Sequence, residues 1–209
     1  HSIKPNLKII KLYLAVLTSR QINNKNKTTY AKKLSSNPLI LNLAVDPELI
    51  EKLYEMKSLE LNKTQDPSYG KARGSDYQLF QDNNSSIINN LEKDLVRLLK
   101  ATFDSDIHVK DSFFTILGAG GGVHHHNHIS ELDLDPSLNL TMQKFSLVYY
   151  LSVGDQNSKN PGMLKLYGPN EKILPTEGML IIFPADRYHS VIYDGTKDRV
   201  IIGMNFYSL

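Results

Sequence analysis

The chain has 209 residues, 41% of them hydrophobic and 22% charged, with a formal net charge of +2 at neutral pH. This is the composition of a soluble globular protein with enough length for one sizeable core or two small ones. The absence of cysteine excludes disulfides, zinc–thiolate sites, iron–sulfur clusters and thiol catalysis. So small a net charge, with no lysine or arginine block, leaves no footprint for nucleic acid. No apolar run reaches the roughly 18 residues that a bilayer span needs, so no membrane partner is expected. The chain begins His-Ser without methionine, as a fragment of a longer protein also would, and a cytoplasmic location is the expectation.

Residues 8–17 place Ile9, Ile10, Leu12, Tyr13, Val16 and Leu17 at intervals of three and four, which predicts a helix with one apolar stripe. The asparagine-rich stretch 21–29 reads as a loop, and 30–45 stays ambiguous because Pro38 breaks any long helix. Asp46-Pro47 has the form of a helix start, with the aspartate as cap and Leu49, Ile50, Leu53 and Tyr54 at helical spacing. A further helix is predicted over 85–101, its apolar side made by Ile87, Ile88, Leu91, Leu95, Leu98 and Leu99. Residues 1–102 therefore read as a mainly helical region that packs on the rest.

After Phe103 the texture changes to short β-branched and aromatic runs. Residues 107–117, 145–153, 163–167, 179–183, 191–193 and 199–207 alternate with turn signals such as Asn160-Pro-Gly162 and Asp194-Gly195. Regularly spaced short strands predict an antiparallel sandwich or barrel over 103–209. With helices before strands, the fold class is α+β. The two regions together are expected to make one structural domain.

The densest chemistry lies at 118–128, Gly-Ala-Gly-Gly-Gly-Val-His-His-His-Asn-His, which holds four of the seven histidines. In an extended chain side chains alternate with period two, so His124, His126 and His128 would share one face and His125 would take the other. The glycines let the backbone turn closely beside that strand. His189 follows the apolar strand 179–183 at the point where Pro184-Ala-Asp-Arg187 leaves the core. A lone histidine there is more often a surface residue.

Its company changes that judgement. A His-x-His strand, a distant histidine, Arg199 ten residues later and a closing apolar strand follow one another, together with Ser146-Leu-Val-Tyr-Tyr-Leu151, Pro175-Thr-Glu-Gly178 and Leu180-Ile-Ile-Phe-Pro184. In that order the elements resemble the Fe(II)/2-oxoglutarate-dependent oxygenase superfamily from Phe113 to the C-terminus. The resemblance is nearest to the branch of prolyl hydroxylases and of phage and marine bacterial oxygenases. It implies a double-stranded β-helix, a jelly-roll or cupin-like core under the N-terminal helical layer. It also implies a dioxygenase that uses Fe(II), 2-oxoglutarate and O2 and releases succinate and CO2, its substrate an amino-acid side chain, prolyl in type, free or in a polypeptide.

The resemblance assigns His126, His128 and His189 as metal ligands, and departs from the family by having histidine where an Asp or Glu ligand normally stands. Two alternatives stay open: His124 with His126 as the pair, or a carboxylate from Glu131, Asp133 or Asp135 completing a conventional set. A permanent charge on a strand facing into a barrel needs a partner. Arg199 is expected to grip the distal carboxylate of 2-oxoglutarate, against a surface ion pair with Asp194 or Asp198. Tyr150, at the family's aligned position, and Asn205 on the closing strand complete the expected cofactor-binding set. The connection 129–142 exceeds ordinary hairpin loops and is expected to form a lid. The rival from another class is a cupin-like metal-binding protein or isomerase without oxygen chemistry. Oligomeric state is open.

Overall fold

The computed structural model describes residues 37–81, 85–138 and 140–209, together with Leu14. Apart from Leu14, the helix expected over 8–17 lies outside the described residues. Residues 37–102 contain two helices, α1 (Pro47–Glu55) and α2 (Ser86–Phe103). They also contain four short strands, β1 (Leu39–Asn42), β2 (Leu59–Glu60), β3 (Ser68–Tyr69) and β4 (Ala72–Gly74). The described part of the region expected to be mainly helical, 1–102, thus adds four short strands to its two helices. Strands of two to four residues are too short to print a period-two pattern in sequence.

Local chemistry explains the helices. Asp46 caps α1, its carboxylate accepting from the Glu48 amide at 3.0 Å, with Pro47 at the first helical position. α2 buries Ile88, Leu91, Leu95, Leu99 and Phe103, one stripe at intervals of three and four, and ends at Asp104 in the left-handed region (φ 49°).

From Ile107 the chain is almost all strand. β5 (Ile107–Leu117), β6 (Gly121–His126), β7 (Lys144–Ser152), β8 (Leu164–Leu166), β9 (Glu171–Ile173), β10 (Met179–Pro184), β11 (His189–Tyr193) and β12 (Arg199–Ser208) follow in order. They form a seven-stranded sheet, β1-β10-β7-β12-β5-β4-β2, and a five-stranded sheet, β3-β6-β11-β8-β9, with every pairing between these strands antiparallel. β1 and β4 join the large sheet and β3 the small one, so both halves of the chain build the same jelly-roll core.

The large sheet has two faces of different character. Phe145, Leu147, Tyr149 and Leu151 of β7 point outward with Leu180 and Ile182 of β10, into a core shared with Leu49, Leu53 and the stripe of α2. The alternate residues point inward: Tyr150, Ile181 and Phe183 meet Leu164, Leu166, Val191 and Tyr193 of the small sheet. No helix among the described residues is long and apolar enough to cross a membrane.

Candidate metal and anion site

The inter-sheet space opens into a pocket lined by His126, His128, His189, Tyr150, Arg199 and Asn205, among others. One potential ligand nitrogen from each of the three histidines lies within 4.8 Å of the other two. His126 ends β6 and His189 begins β11, and the two are direct cross-strand partners with ring centres 4.2 Å apart. His128 follows the end of β6, its ring 4.9 Å from that of His126 and 5.0 Å from that of His189. His189 is therefore no surface residue: it is 6% exposed.

His124 does not join them. The β6–β11 register runs from His189 opposite His126 to Val191 opposite Val123, so His124 and His125 together face Ser190. This is a β-bulge, which adds one residue to a strand and re-aims the side chains beyond it. It places Val123 and His126 on the pocket side and breaks the expected alternation. His124 is exposed and packs on Tyr69 with ring centres 4.4 Å apart, while His125 stacks on Tyr188 at 4.5 Å and 10° between planes. Nor does a carboxylate among the described residues join the group. Glu131 and Asp135 are exposed, and Asp133 is 1% exposed but committed to Lys144 at 2.7 Å.

Backbone contacts set the tautomers. Nδ1 of His126 lies 2.7 Å from the His124 carbonyl and Nδ1 of His189 lies 3.3 Å from that of Arg187. A carbonyl only accepts, so both Nδ1 atoms carry the proton and both Nε2 lone pairs stay free. Burial is the main cause that pushes the histidines below their ordinary value: His126 downward, His128 well downward, and His189 to about 3, with mutual repulsion adding to the effect on His128 and His189. Three neutral imidazoles are a donor set for a divalent transition metal.

Arg199 is 1% exposed at the start of β12. Its Nη1 donates to the Gly162 carbonyl and its Nη2 to the Pro161 carbonyl at 2.9 Å, while its Nε has no partner. Among the described residues it makes no ion pair. Asp198 instead accepts from the Tyr54 hydroxyl at 3.1 Å, and Asp194 from the Asn160 amide at 2.5 Å. The rings of Tyr150 and Tyr193 lie 5.6 and 5.0 Å from the guanidinium carbon. Burial lowers the pKa of Arg199 and the two tyrosines partly oppose that, yet a guanidinium stays charged at any working pH. Tyr150 is 2% exposed, its phenol pushed up to about 12 by burial. Asn205 accepts from Ser146 Oγ at 2.8 Å through Oδ1 and is 2% exposed.

No family model matches the sequence, and no curated protein matches it. Solved structures do. A prolyl 4-hydroxylase from Pseudomonas putida superposes with a TM-score of 0.57 at 15% identity, over 86% of this chain and 99% of its own. HygX from Streptomyces hygroscopicus, solved with nickel and 2-oxoglutarate bound, gives 0.61 at 12% identity, over 89% and 88%. The viral collagen prolyl hydroxylase of Paramecium bursaria Chlorella virus-1, solved with 2-oxoglutarate, gives 0.59 at 14% identity, over 82% and 96%. The chain has the fold of the 2-oxoglutarate/Fe(II) oxygenases. Fold alone does not convey function, so in this oxygenase fold the chemistry has to be judged from the residues of the pocket.

Three features of the pocket and its walls were not read from the sequence. Gly162 has φ +77°, and a Cβ there would lie 2.3 Å from the Arg199 guanidinium, so only glycine lets the chain pass against that charge. Lys144 is buried at the start of β7, bonded to Asp133 and to the His128 carbonyl, each at 2.7 Å. The segment expected to be a lid is anchored by this pair, and Leu138 and Leu140 pack with Tyr207 and Leu209 beside it. Signals existed for the last two: a lysine opening an apolar strand, and Ser130-Glu-Leu-Asp133, a capping-box pattern that the structure forms.

Proposed function

We propose that this protein is an Fe(II)- and 2-oxoglutarate-dependent dioxygenase. In this reading it hydroxylates an amino-acid side chain of prolyl type, free or in a polypeptide, with release of succinate and CO2. The observation that carries the proposal is the pairing, in one pocket, of three converging neutral imidazoles with a buried guanidinium that no carboxylate among the described residues answers. The pocket fits the cofactor on its own chemistry. His126, His128 and His189 would hold the metal from one side and leave its other positions open. Without a carboxylate ligand the bound ion keeps its full charge, which favours an anionic co-substrate.

Fe(II) held there by His126, His128 and His189 would supply the activation of O2 that such a hydroxylation needs, coupled to decarboxylation of 2-oxoglutarate. The chain's own residues bind and orient. Arg199, with a free Nε–H and a permanent charge, would take the distal carboxylate through charge-assisted hydrogen bonds. Tyr150, kept protonated by burial, would donate a further bond, and Asn205 would offer its side-chain amide from the same pocket. The apolar inner faces of both sheets keep water from the reacting atoms. The prolyl assignment has its support in the prolyl hydroxylases among the structures that share the fold.

The test is anaerobic titration of purified protein with Fe(II) and 2-oxoglutarate. A weak visible charge-transfer band is expected, and Arg199→Ala is expected to abolish it at the same ligand concentration. Folded protein that gives no band at saturating ligand rejects the proposal. The all-imidazole donor set favours one other reading, a cupin-like metal-binding protein or isomerase without oxygen chemistry, which would bind metal and give no such band.

A further inference from the structure

His126 and His189 stand on adjacent strands, and the ladder between β6 and β11 holds their backbones. His128 lies beyond the end of β6, yet its ring meets both of theirs. Its amide donates to the Ala185 carbonyl at 2.9 Å, and its carbonyl accepts from Lys144 Nζ at 2.7 Å. Lys144 is also bonded to Asp133 at 2.7 Å, with side-chain exposures of 2% and 0% for the two partners. The same Asp133 oxygen accepts from the amide and the hydroxyl of Ser130, each at 2.7 Å, and its other oxygen accepts from the Tyr207 hydroxyl at 2.7 Å. The charge pair thus grips the main chain at His128 and again two residues later.

We infer that Lys144 and Asp133 are positioning residues for His128, a buried clamp that sets where the third imidazole stands relative to the other two. The inference rests on the metal-site proposal above. A buried ion pair is a weak source of net stability, because desolvation offsets the Coulombic gain. Its bonds are nevertheless short, charge-assisted and stiff in a low-dielectric interior. They do for His128 what a neighbouring strand does for His126 and His189. Contacts that orient metal ligands from behind tune affinity without touching the ion.

Co(II) titration followed by d–d absorption tests this, since band position and intensity report coordination geometry independently of turnover. The double variant Lys144→Met/Asp133→Asn removes the bond to the His128 carbonyl and leaves no buried unpaired charge. Folding is checked by circular dichroism. The expected result is Co(II) affinity lower by about 10- to 100-fold with an altered spectrum. Tyr207→Phe, which loosens Asp133 without touching the His128 carbonyl, should stay within about twofold of the unaltered protein. Lys144→Arg keeps the pairing with Asp133 but carries a longer, planar head; it should change the spectrum in the same direction as the double variant, and it serves as the readout if the double variant does not fold. Unaltered affinity and spectrum in a folded Lys144 variant overturn the positioning role, as does an equal loss in Tyr207→Phe. If the unaltered protein itself shows no Co(II) bands, the metal site falls and the clamp's role falls with it.

Discussion

Two cations are buried in the large sheet, each at the first residue of a strand, and they are treated in opposite ways. Lys144, 2% exposed, is answered by the Asp133 carboxylate and a backbone carbonyl. Arg199, 1% exposed, has two carbonyls, two aromatic rings and an orphaned Nε, but no carboxylate among the described residues. An uncompensated buried charge is costly. A scaffold has no reason to keep one, whereas a site that takes a carboxylate from solution does. On the proposed function, the difference separates a charge that would hold the site in shape from one that would take a ligand.

Removing each cation in turn is the sharpest way to break this comparison. Lys144→Met leaves Asp133 buried without a counter-charge, and the expected loss is about 3–5 kcal/mol of unfolding free energy, read by urea denaturation. Arg199→Met replaces an unanswered charge by an apolar chain of similar length. Its stability in the same assay should be unchanged or higher, while 2-oxoglutarate binding by calorimetry weakens by about 10- to 100-fold (~1.5–3 kcal/mol). If Arg199→Met destabilised the protein as much as Lys144→Met, the two cations would not differ in kind.

Acid provides a graded effect with separate windows. The site histidines are held below their ordinary value of 6.5, His189 at about 3, so the unfolded chain takes up their protons first as pH falls. Their contribution to metal-free stability is therefore complete above pH 6.5 and lost progressively toward pH 3. Despite burial, which raises it, the Asp133 carboxyl is held below its ordinary 3.8 by hydrogen bonds from Lys144, Ser130 and Tyr207. Its contribution is present above that value and is lost only at lower pH. Thermal melts of His189→Gln across this range should flatten the limb between pH 6.5 and 4 and leave the lower limb in place. The smallest effects separate the two faces of β7. Tyr150→Phe should weaken 2-oxoglutarate binding by about fivefold (~1 kcal/mol) with little change in stability. Tyr149→Phe, which loses its bond to the Ala44 carbonyl at 3.0 Å, should cost about 1 kcal/mol of stability and leave binding alone.

Much of the architecture was legible because it is written locally. The Asp46-Pro47 start, the stripe of α2 and the alternation that sends Tyr149 and Tyr150 to opposite faces follow from residue spacing, and the structure reproduces them. The edge strands β1 to β4 were not legible, since segments so short become strands only by pairing with a longer neighbour.

The histidine stretch marks the same boundary within the site. The sequence by itself determined that imidazoles are concentrated at 124–128, that another follows the strand 179–183, and that an arginine opens the final strand. It did not determine which imidazoles meet. That was decided by a bulge opposite Ser190, which depends on the pairing of β6 with β11, strands separated by more than sixty positions in sequence. Nor could it decide that Asp133 faces Lys144 and not the imidazoles, because both lie within reach along the chain. Periodicity states which side of a strand a residue takes only while the register is unbroken, and register and burial belong to the folded sheet.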